Sequence, residues 1–271
     1  MNISDALQTA YDRLASSSDA PELDARWLLG HVLGRDETSW LLAHSDEQLS
    51  SAAAYQYESL VAARAAGKPL AYMLGEWGFY GRYFWLNENV LIPRPETENL
   101  LVAALAYIRE APPFCAARAD ESLVVADIGT GSGVIAITLL LEAPASHIHI
   151  IATDISPDAL QMARKNARRH GVEDKIEFIH GDMLSPLAGK QIDLIVSNPP
   201  YVPTHEINVA DPLVAVDGGP DGRKFTRQLE GCSMPAVFET INGKIQWNDS
   251  FEKKRSGTRF KGEFPLRGKI F

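Results

Sequence analysis

The feature that most constrains this chain is an alternation of helices and short apolar strands from about residue 95 onward. A helix is predicted over Thr97–Glu110, and two later helices are predicted to end near Pro144 and Gly171. The predicted strands cover residues 123–128, 147–153, 176–179 and 194–196. Strands that alternate with helices in this way form a mostly parallel sheet with helices on both faces. The sequence therefore predicts an α/β fold.

The first seventy residues carry helical patterns instead. Asp19 is predicted to cap a helix that has Pro21 in its first turn. Ser45 and Gln48 have the spacing of a capping box, which predicts the start of a second long helix. We expect residues 1–72 to form a small helical bundle domain.

A segment rich in aromatic residues and glycine joins the two parts. Residues 75–85 contain apolar side chains bounded by glycines, which predicts a β-hairpin within a linker over 73–95. An RNA-stacking platform also uses aromatic side chains, but Arg82 is the one positive charge in this segment. The pattern favours the hairpin.

Composition narrows the class of protein. Hydrophobic residues make up 45% and charged residues 23%, as in ordinary globular proteins. The longest nearly continuous apolar runs, Leu100–Ile108 and Val134–Leu141, are far shorter than the about 18 residues of a membrane span. The N-terminus has no secretory or transit pattern, and Cys115 and Cys232 form no CxxC pair. A cytoplasmic protein is expected.

The charge is unevenly distributed along the chain. The total is −9, yet residues 231–271 hold eight Lys or Arg and four Asp or Glu, so they carry +4 and the rest carries −13. An acidic main part argues against a general nucleic-acid-binding role. His147 and His149 share a strand face without other ligand residues, so no metal site is expected.

A glycine loop between a strand and a helix is the first candidate site. Glycine allows a backbone to turn sharply and to approach a ligand closely. Asp154 ends the next strand, 21 residues after Gly133, at the same edge of the sheet. There it can accept hydrogen bonds from both ribose hydroxyls of an adenosine-containing cofactor, although it could instead only cap the following helix. The predicted cofactor-binding residues are Asp127, Gly129, Thr130, Gly131, Ser132, Gly133, Asp154, Asp182, Met183 and Asn198.

The tetrapeptide Asn198-Pro199-Pro200-Tyr201 is the most specific site, and it directly follows the fourth strand. Two prolines remove two backbone donors and leave carbonyls free to accept. The Asn198 side-chain oxygen and a proline carbonyl can each accept one N–H of a planar NH₂ group, which exposes the nitrogen lone pair. The Tyr201 ring can pack on the substrate plane. Asn198, Pro199 and Tyr201 are the predicted catalytic residues, and Pro200 joins them in substrate binding.

These sites, in this order and spacing, resemble the class I S-adenosylmethionine-dependent amino-methyltransferases, and more narrowly the HemK/PrmC family of protein-(glutamine-N5) methyltransferases. The resemblance covers about residues 1–229. It rests on the helical domain, Leu91–Glu98, Asp127–Gly133, Asn198–Tyr201 and Leu213–Gly222.

The resemblance implies a Rossmann-like methyltransferase domain over 96–229, with S-adenosyl-L-methionine as cofactor. The implied partner is a peptide chain release factor, methylated on the glutamine of a Gly-Gly-Gln motif. Arg94 and Glu96 are expected to brace the entrance of the site, or else only to form a surface turn and the start of a helix. No membrane and no direct nucleic-acid partner is implied, and a monomer is expected.

The match ends at Leu229, and residues 230–271 are interpreted as an atypical tail. One strand is predicted there, at Ala236–Ile241, with no second strand, so the C-terminal strands of the sheet are expected to be atypical or missing. Two alternatives stay open: an adenine-N6 or other nucleic-acid amino-methyltransferase, and a cofactor-binding protein that the altered tail leaves inactive.

Overall fold

The structure is a computed structural model that describes residues 1–35, 38–110, 123–143, 148–207, 211–233, 236–240 and 244–248. By its internal contacts the chain divides into two units, Met1–Glu76 and Trp77–Phe271. Each is described separately below.

The first unit is helical, as predicted. Its helices are α1 (Ile3–Leu14), α2 (Pro21–Leu33), α3 (Thr38–Ala43), α4 (Ser51–Ala65) and α5 (Leu70–Leu74).

Both predicted helix caps in this unit were wrong. Ala20 is the N-cap of α2, so Asp19 lies outside the helix. The long helix α4 begins at Ser51 and is capped by the Ser50 side chain, which accepts from the Ala53 N–H. Ser45 and Gln48 do not start a helix because their segment pairs with the N-terminal residues through backbone hydrogen bonds and a β-bridge.

Two buried polar contacts hold the bundle in register. The Tyr57 hydroxyl donates to the backbone oxygen of Ala25 at 3.0 Å. Arg64 on α4 forms a 2.7 Å ion pair with the nearly buried Asp24 on α2. Each contact gives a buried polar group the partner that it needs.

From Pro95 to His180 helices and strands alternate, as the sequence predicts. The predicted hairpin is present, and the strands before residue 200 lie within one or two residues of their predicted ends. The elements are β1 (Glu76–Phe79), β2 (Arg82–Trp85), α6 (Pro95–Glu110), β3 (Leu123–Ile128), α7 (Val134–Glu142), β4 (Ile148–Asp154), α8 (Pro157–Arg169), β5 (Ile176–His180), β6 (Leu194–Ser197), α9 (Leu213–Val216), α10 (Thr226–Glu230), β7 (Ala236–Thr240) and β8 (Lys244–Trp247), with 3-10 turns at Glu173–Lys175, Ser185–Leu187 and Thr204–Glu206.

Six of the described strands form one sheet in the order β5-β4-β3-β6-β7-β8. All neighbouring pairs are parallel except β7 and β8, which are antiparallel. The chain adds strands outward from β3 to β5 and then crosses to β6 on the other side of β3. Ligands of open α/β sheets bind in the crevice that such a reversal leaves at the carboxyl ends of the strands. Here the reversal places the ends of β3 and β6 side by side.

The sheet continues into the segment that was interpreted as an atypical tail. The strand predicted at Ala236–Ile241 is confirmed as β7, which pairs with β6. The expectation of no second strand was wrong, because β8 pairs with β7 from Val237↔Trp247 to Thr240↔Lys244. The four residues of β8 alternate between exposed and half-buried positions. An edge strand with so few apolar residues gives a weak sequence signal, which explains why it was missed.

Candidate functional site

A cavity of about 540 Å³ lies at the carboxyl ends of the central strands. Its volume falls within the roughly 300–1,000 Å³ that is usual for small-molecule sites. The lining includes Asn89, Val90 and Leu91 before α6, Leu213, Val214, Ala215 and Phe225 after the tetrapeptide, and seven predicted site residues: Gly129, Gly131, Asp154, Asp182, Met183, Asn198 and Pro200.

The glycine loop forms one wall of the cavity. Gly129 and Gly131 have φ of +70° and +56°, a backbone region that favours glycine. A Cβ added at either position would meet no atom within 4 Å, so a side chain there would enter the space of the cavity. Gly133 has a different role, since its added Cβ would lie 3.1 Å from the Ala163 Cβ and would separate the loop from α8.

Asn166 on α8 ties this loop to the hairpin. The buried side chain of Asn166 accepts from the Trp85 N–H at 2.8 Å and donates to the Trp85 oxygen at 3.0 Å. It also donates to the oxygen of Ser132 at 2.9 Å. No sequence motif pointed to Asn166, because its partners lie 34 and 81 residues away.

Asp154, at the end of β4, accepts hydrogen bonds from the glycine loop and from the turn that leads into α8. One carboxylate oxygen accepts from the Gly131 N–H at 2.9 Å, and the other accepts from the N–H of Ser156, the N-cap of α8, at 2.9 Å. Burial raises the pKa of Asp154, and these backbone hydrogen bonds oppose that rise. Because a carboxylate can accept about four hydrogen bonds, both oxygens keep capacity for a diol.

Asp127 lies beneath the loop rather than in the cavity wall. One of its oxygens accepts from the Thr130 hydroxyl at 2.7 Å and from the Ala136 N–H at 3.2 Å. The other oxygen is buried without a hydrogen-bond partner among the described residues. Burial raises the pKa of Asp127 to about 7 despite the two hydrogen bonds. Asp127 therefore shapes the loop from below.

The turn after β5 brings Asp182 and Met183 to the cavity. Met183 has φ of +45°, which a residue with a Cβ adopts only at a cost. The unfavourable backbone conformation places a flexible apolar side chain at the cavity wall. Such outliers are often found where a site dictates the backbone.

The Asn198 side chain is fixed in one orientation at the end of β6. Its Nδ2 donates to the Thr97 hydroxyl at 2.9 Å. Its Oδ1 is buried and accepts no hydrogen bond from the described residues. An unpartnered buried acceptor beside a cavity is a strong sign of a ligand group, since leaving it unpaired costs free energy.

Tyr201 and Thr97 share one buried carboxylate. The Tyr201 hydroxyl donates to Glu239 Oε1 at 3.0 Å, and the Thr97 hydroxyl donates to Glu239 Oε2 at 3.0 Å. Burial raises the pKa of Glu239, while the two hydroxyl donors lower it. Burial and the Glu239 carboxylate raise the pKa of Tyr201, so its hydroxyl keeps the proton that it donates.

The segment after the tetrapeptide is held by a short parallel pairing. The Val202 N–H donates to the Val216 oxygen at 3.0 Å, and the Gly218 N–H donates to the Val202 oxygen at 2.8 Å. A Cβ on Gly218 would lie 2.7 Å from the Tyr201 Cα, so no larger residue fits there without movement. Arg94 forms an ion pair with the nearly buried Asp211, which joins the turn before α6 to the loop after the tetrapeptide.

The structure separates the predicted residues into two groups. Seven of them line the cavity, as stated above. The predicted residues that do not line it are Asp127, Thr130, Ser132, Gly133, Pro199 and Tyr201. Sequence reasoning missed Thr97 and Glu239, which have no motif of their own. Thr97 lies within a segment that was singled out for the resemblance, Leu91–Glu98, and that was the available signal.

Within the described ranges, no group of three or more His, Cys, Asp or Glu side chains is placed to hold a metal ion. In the same residues, no helix is long and apolar enough to cross a membrane.

Comparison with known protein families defines the class of protein to which this chain belongs. Residues 114–216 match the family described as the methyltransferase small domain. Residues 5–75 match the family described as the PrmC N-terminal domain. The second unit is thus a methyltransferase domain with a Rossmann-like sheet, as predicted.

Curated relatives narrow the class to one family. A release factor glutamine methyltransferase of Bacillus anthracis is 40% identical over 211 residues, which cover 74% of this chain and 71% of the relative. A protein of the same name from Moorella thermoacetica is 38% identical over 236 residues, which cover 84% of this chain and 79% of the relative. The chain belongs to the release factor glutamine methyltransferase family.

Solved structures give weaker similarity. The hMettl16 catalytic domain in complex with the MAT2A 3'UTR hairpin 6 covers 66% of this chain and 78% of that chain, with TM-score 0.44 and 14% identity. Likeness at this level carries no argument about function.

Proposed function

We propose that this protein transfers a methyl group from S-adenosyl-L-methionine to the side-chain amide nitrogen of the glutamine in the Gly-Gly-Gln motif of a peptide chain release factor. The observation that carries the proposal is the buried, unpartnered Oδ1 of Asn198 beside the cavity. Membership of the family supplies the class of substrate.

The cavity suits the cofactor. Gly129 and Gly131 leave space where side chains would otherwise lie, and Asp154 keeps hydrogen-bonding capacity for a ribose diol. Asp182 and Met183 would contact the adenine edge and face. Thr130, Ser132 and Gly133 would hold the loop in shape, since the Thr130 hydroxyl donates to Asp127, the Ser132 oxygen accepts from Asn166, and Gly133 packs closely against α8.

The chain's own residues would orient the substrate amide. An amide nitrogen is a poor nucleophile because its lone pair is delocalised. Asn198 Oδ1 would accept one N–H and the Pro199 carbonyl the other, which would draw the lone pair out of conjugation. When bound, the cofactor would supply an electrophilic methyl group: the amide nitrogen would gain a bond to the methyl carbon as that carbon loses its bond to sulfur, and the nitrogen would release a proton to solvent. Positioning of this kind can supply a large part of the rate enhancement without a strong base.

The Tyr201 ring and Pro200 would complete the substrate site. Arg94 would brace its entrance through the ion pair with Asp211. We further propose that the protein acts as a monomer. A cytoplasmic location would give the enzyme access to release factors.

The test is incubation of the full chain with isotopically labelled S-adenosyl-L-methionine and a purified release factor, followed by mass spectrometry of its peptides. We expect label on the Gly-Gly-Gln glutamine and none on a release factor in which that glutamine is alanine. DNA and RNA are included as competing acceptors. Label on nucleic acid, or no label on the release factor, would overturn the proposal.

A further inference from the structure

We propose that Glu239 is a positioning residue that fixes the amide orientation of Asn198 through Thr97. The inference rests on the proposed function and adds to it a residue from the segment beyond Leu229. Glu239 lies on β7, one residue past the pairing of Phe238 with Ser197 of β6. This register places Glu239 beside the start of the tetrapeptide.

The direction of each hydrogen bond follows from the number of protons available. Glu239 is fully buried, and its two carboxylate oxygens accept hydrogen bonds from Thr97 and Tyr201. A threonine hydroxyl has one proton, which Thr97 gives to Glu239. The Thr97 oxygen can therefore only accept from Asn198.

This constraint decides which end of the Asn198 amide points away from Thr97 and is left to accept from a ligand. The Nδ2 group must point toward Thr97, so Oδ1 points away from it and stays without a protein donor. If the amide were reversed, Asn198 would present an NH₂ group to the NH₂ group of the substrate. Two donors cannot pair, and the substrate nitrogen would lose one of its two acceptors.

Glu239 also holds Tyr201, the other end of the tetrapeptide, through its second oxygen. One carboxylate thus joins three elements: α6 through Thr97, β7 through Glu239 itself, and the loop after β6. A carboxylate in a fully buried position is costly unless hydrogen bonds satisfy it. Thr97 contacts Asn198 of the proposed substrate-binding tetrapeptide, and Tyr201 belongs to it. The role of Glu239 is therefore to set the geometry of that tetrapeptide.

The test compares methyl transfer to a release factor by the full chain and its variants. Thr97→Val removes the hydroxyl with little change in shape, and Thr97→Ser keeps the hydroxyl. We expect Thr97→Val to lower kcat about tenfold or more, with KM for the release factor changed far less. Thr97→Ser should recover most of the lost kcat. If the hydrogen bonds among Thr97, Asn198 and Glu239 only stabilised the fold, kcat would not fall while KM stays nearly unchanged.

A second pair addresses Glu239 directly. In Glu239→Gln one oxygen becomes an NH₂ group, which can turn the Thr97 hydroxyl toward Asn198 and reverse the amide. We expect a lower kcat, and we expect the double variant with Thr97→Val to be no slower than Thr97→Val alone, because both changes act through one amide. Thr240→Val, on the same strand and outside the site, is the matched control. Melting curves show whether each variant is folded.

The outcomes separate the two proposals. If the wild-type chain transfers no methyl group to the release factor, the proposed function fails and this inference fails with it. If the wild type is active and both Thr97→Val and Glu239→Gln retain its kcat, the inference alone is wrong. It is also wrong if Thr97→Ser is as slow as Thr97→Val. Should Glu239→Gln fail to fold, the Thr97 pair decides.

Discussion

The buried carboxyl of Asp127 should make the stability of the protein fall as the pH rises. Burial raises the pKa of this group from 3.8 to about 7 in the folded protein. Between these values the folded protein holds a proton that the unfolded chain has released, so a rise in pH favours unfolding. Each pKa unit corresponds to about 1.4 kcal/mol, which gives a loss of about 4 kcal/mol between pH 4 and pH 7. Above about pH 7 this contribution is constant.

The assay is urea unfolding of the cofactor-free protein at a series of pH values from 4.5 to 8, for wild type and Asp127→Asn. Asparagine keeps an acceptor for Thr130 and Ala136 but does not ionise. The free energy of unfolding of the variant should not show the decrease with rising pH that Asp127 causes in the wild type. The difference in free energy of unfolding between the two proteins should therefore change by several kcal/mol across this pH range. The exposed Asp174→Asn is the control, and it should follow the wild type.

The comparison uses the slope of the free energy of unfolding against pH, because the substitution also changes that free energy by an amount that does not depend on pH. Burial raises the pKa of Asp154 and Glu239 as well, but both groups are present in wild type and variant, and their contributions largely cancel in the difference. Parallel stability curves for wild type and Asp127→Asn would refute the reasoning. A wild type that gains stability relative to the variant as the pH rises would refute it more strongly.

Three further substitutions test the site. Asn198→Ala should lower transfer to the release factor by about 100-fold or more with little change in melting temperature, and a rate near that of wild type would exclude its assigned role. Gly218→Ala places a Cβ 2.7 Å from the Tyr201 Cα and should lower kcat/KM. The control Gly78→Ala places a Cβ that meets no atom within 4 Å and should leave kcat/KM unchanged. Equal effects of the two substitutions would contradict this account. Asn166→Ala removes three hydrogen bonds and should reduce the free energy of unfolding by about 2–4 kcal/mol in urea, so a loss under about 0.5 kcal/mol would show that the hairpin contact is dispensable.

The strands of the second unit were predictable because a parallel sheet covered on both faces requires continuous apolar runs. Leu123–Ile128 was predicted to its exact bounds, and β5 and β6 differed by one residue at one end. The helix caps of the first unit were not predictable in the same way. Ser45 and Gln48 satisfy a local motif, but their backbone pairs with residues about forty positions earlier, and that long-range pairing decides the local structure.

The candidate site likewise contains residues that the sequence could predict and residues that it could not. Gly129, Asp154 and Asn198 each directly follow or end a strand, so the order of elements along the chain places them at one edge of the sheet. Thr97 and Glu239 meet across 142 residues of sequence. A threonine in a first helical turn and a glutamate in a short strand are common, so neither residue type marks a site by itself. The contact becomes visible once β7 is placed beside β6.

The buried Glu239 also bears on the alternative that the segment after Leu229 makes the protein inactive. A strand that only completed the sheet would need apolar side chains at its buried positions, as Ala236, Val237 and Phe238 provide. A carboxylate in the next buried position would destabilise such a strand unless donors surrounded it. Its two donors are the residue that orients Asn198 and the last residue of the tetrapeptide. The segment that was interpreted as an atypical tail therefore contributes the group on which, by the inference above, the orientation of the substrate amide depends.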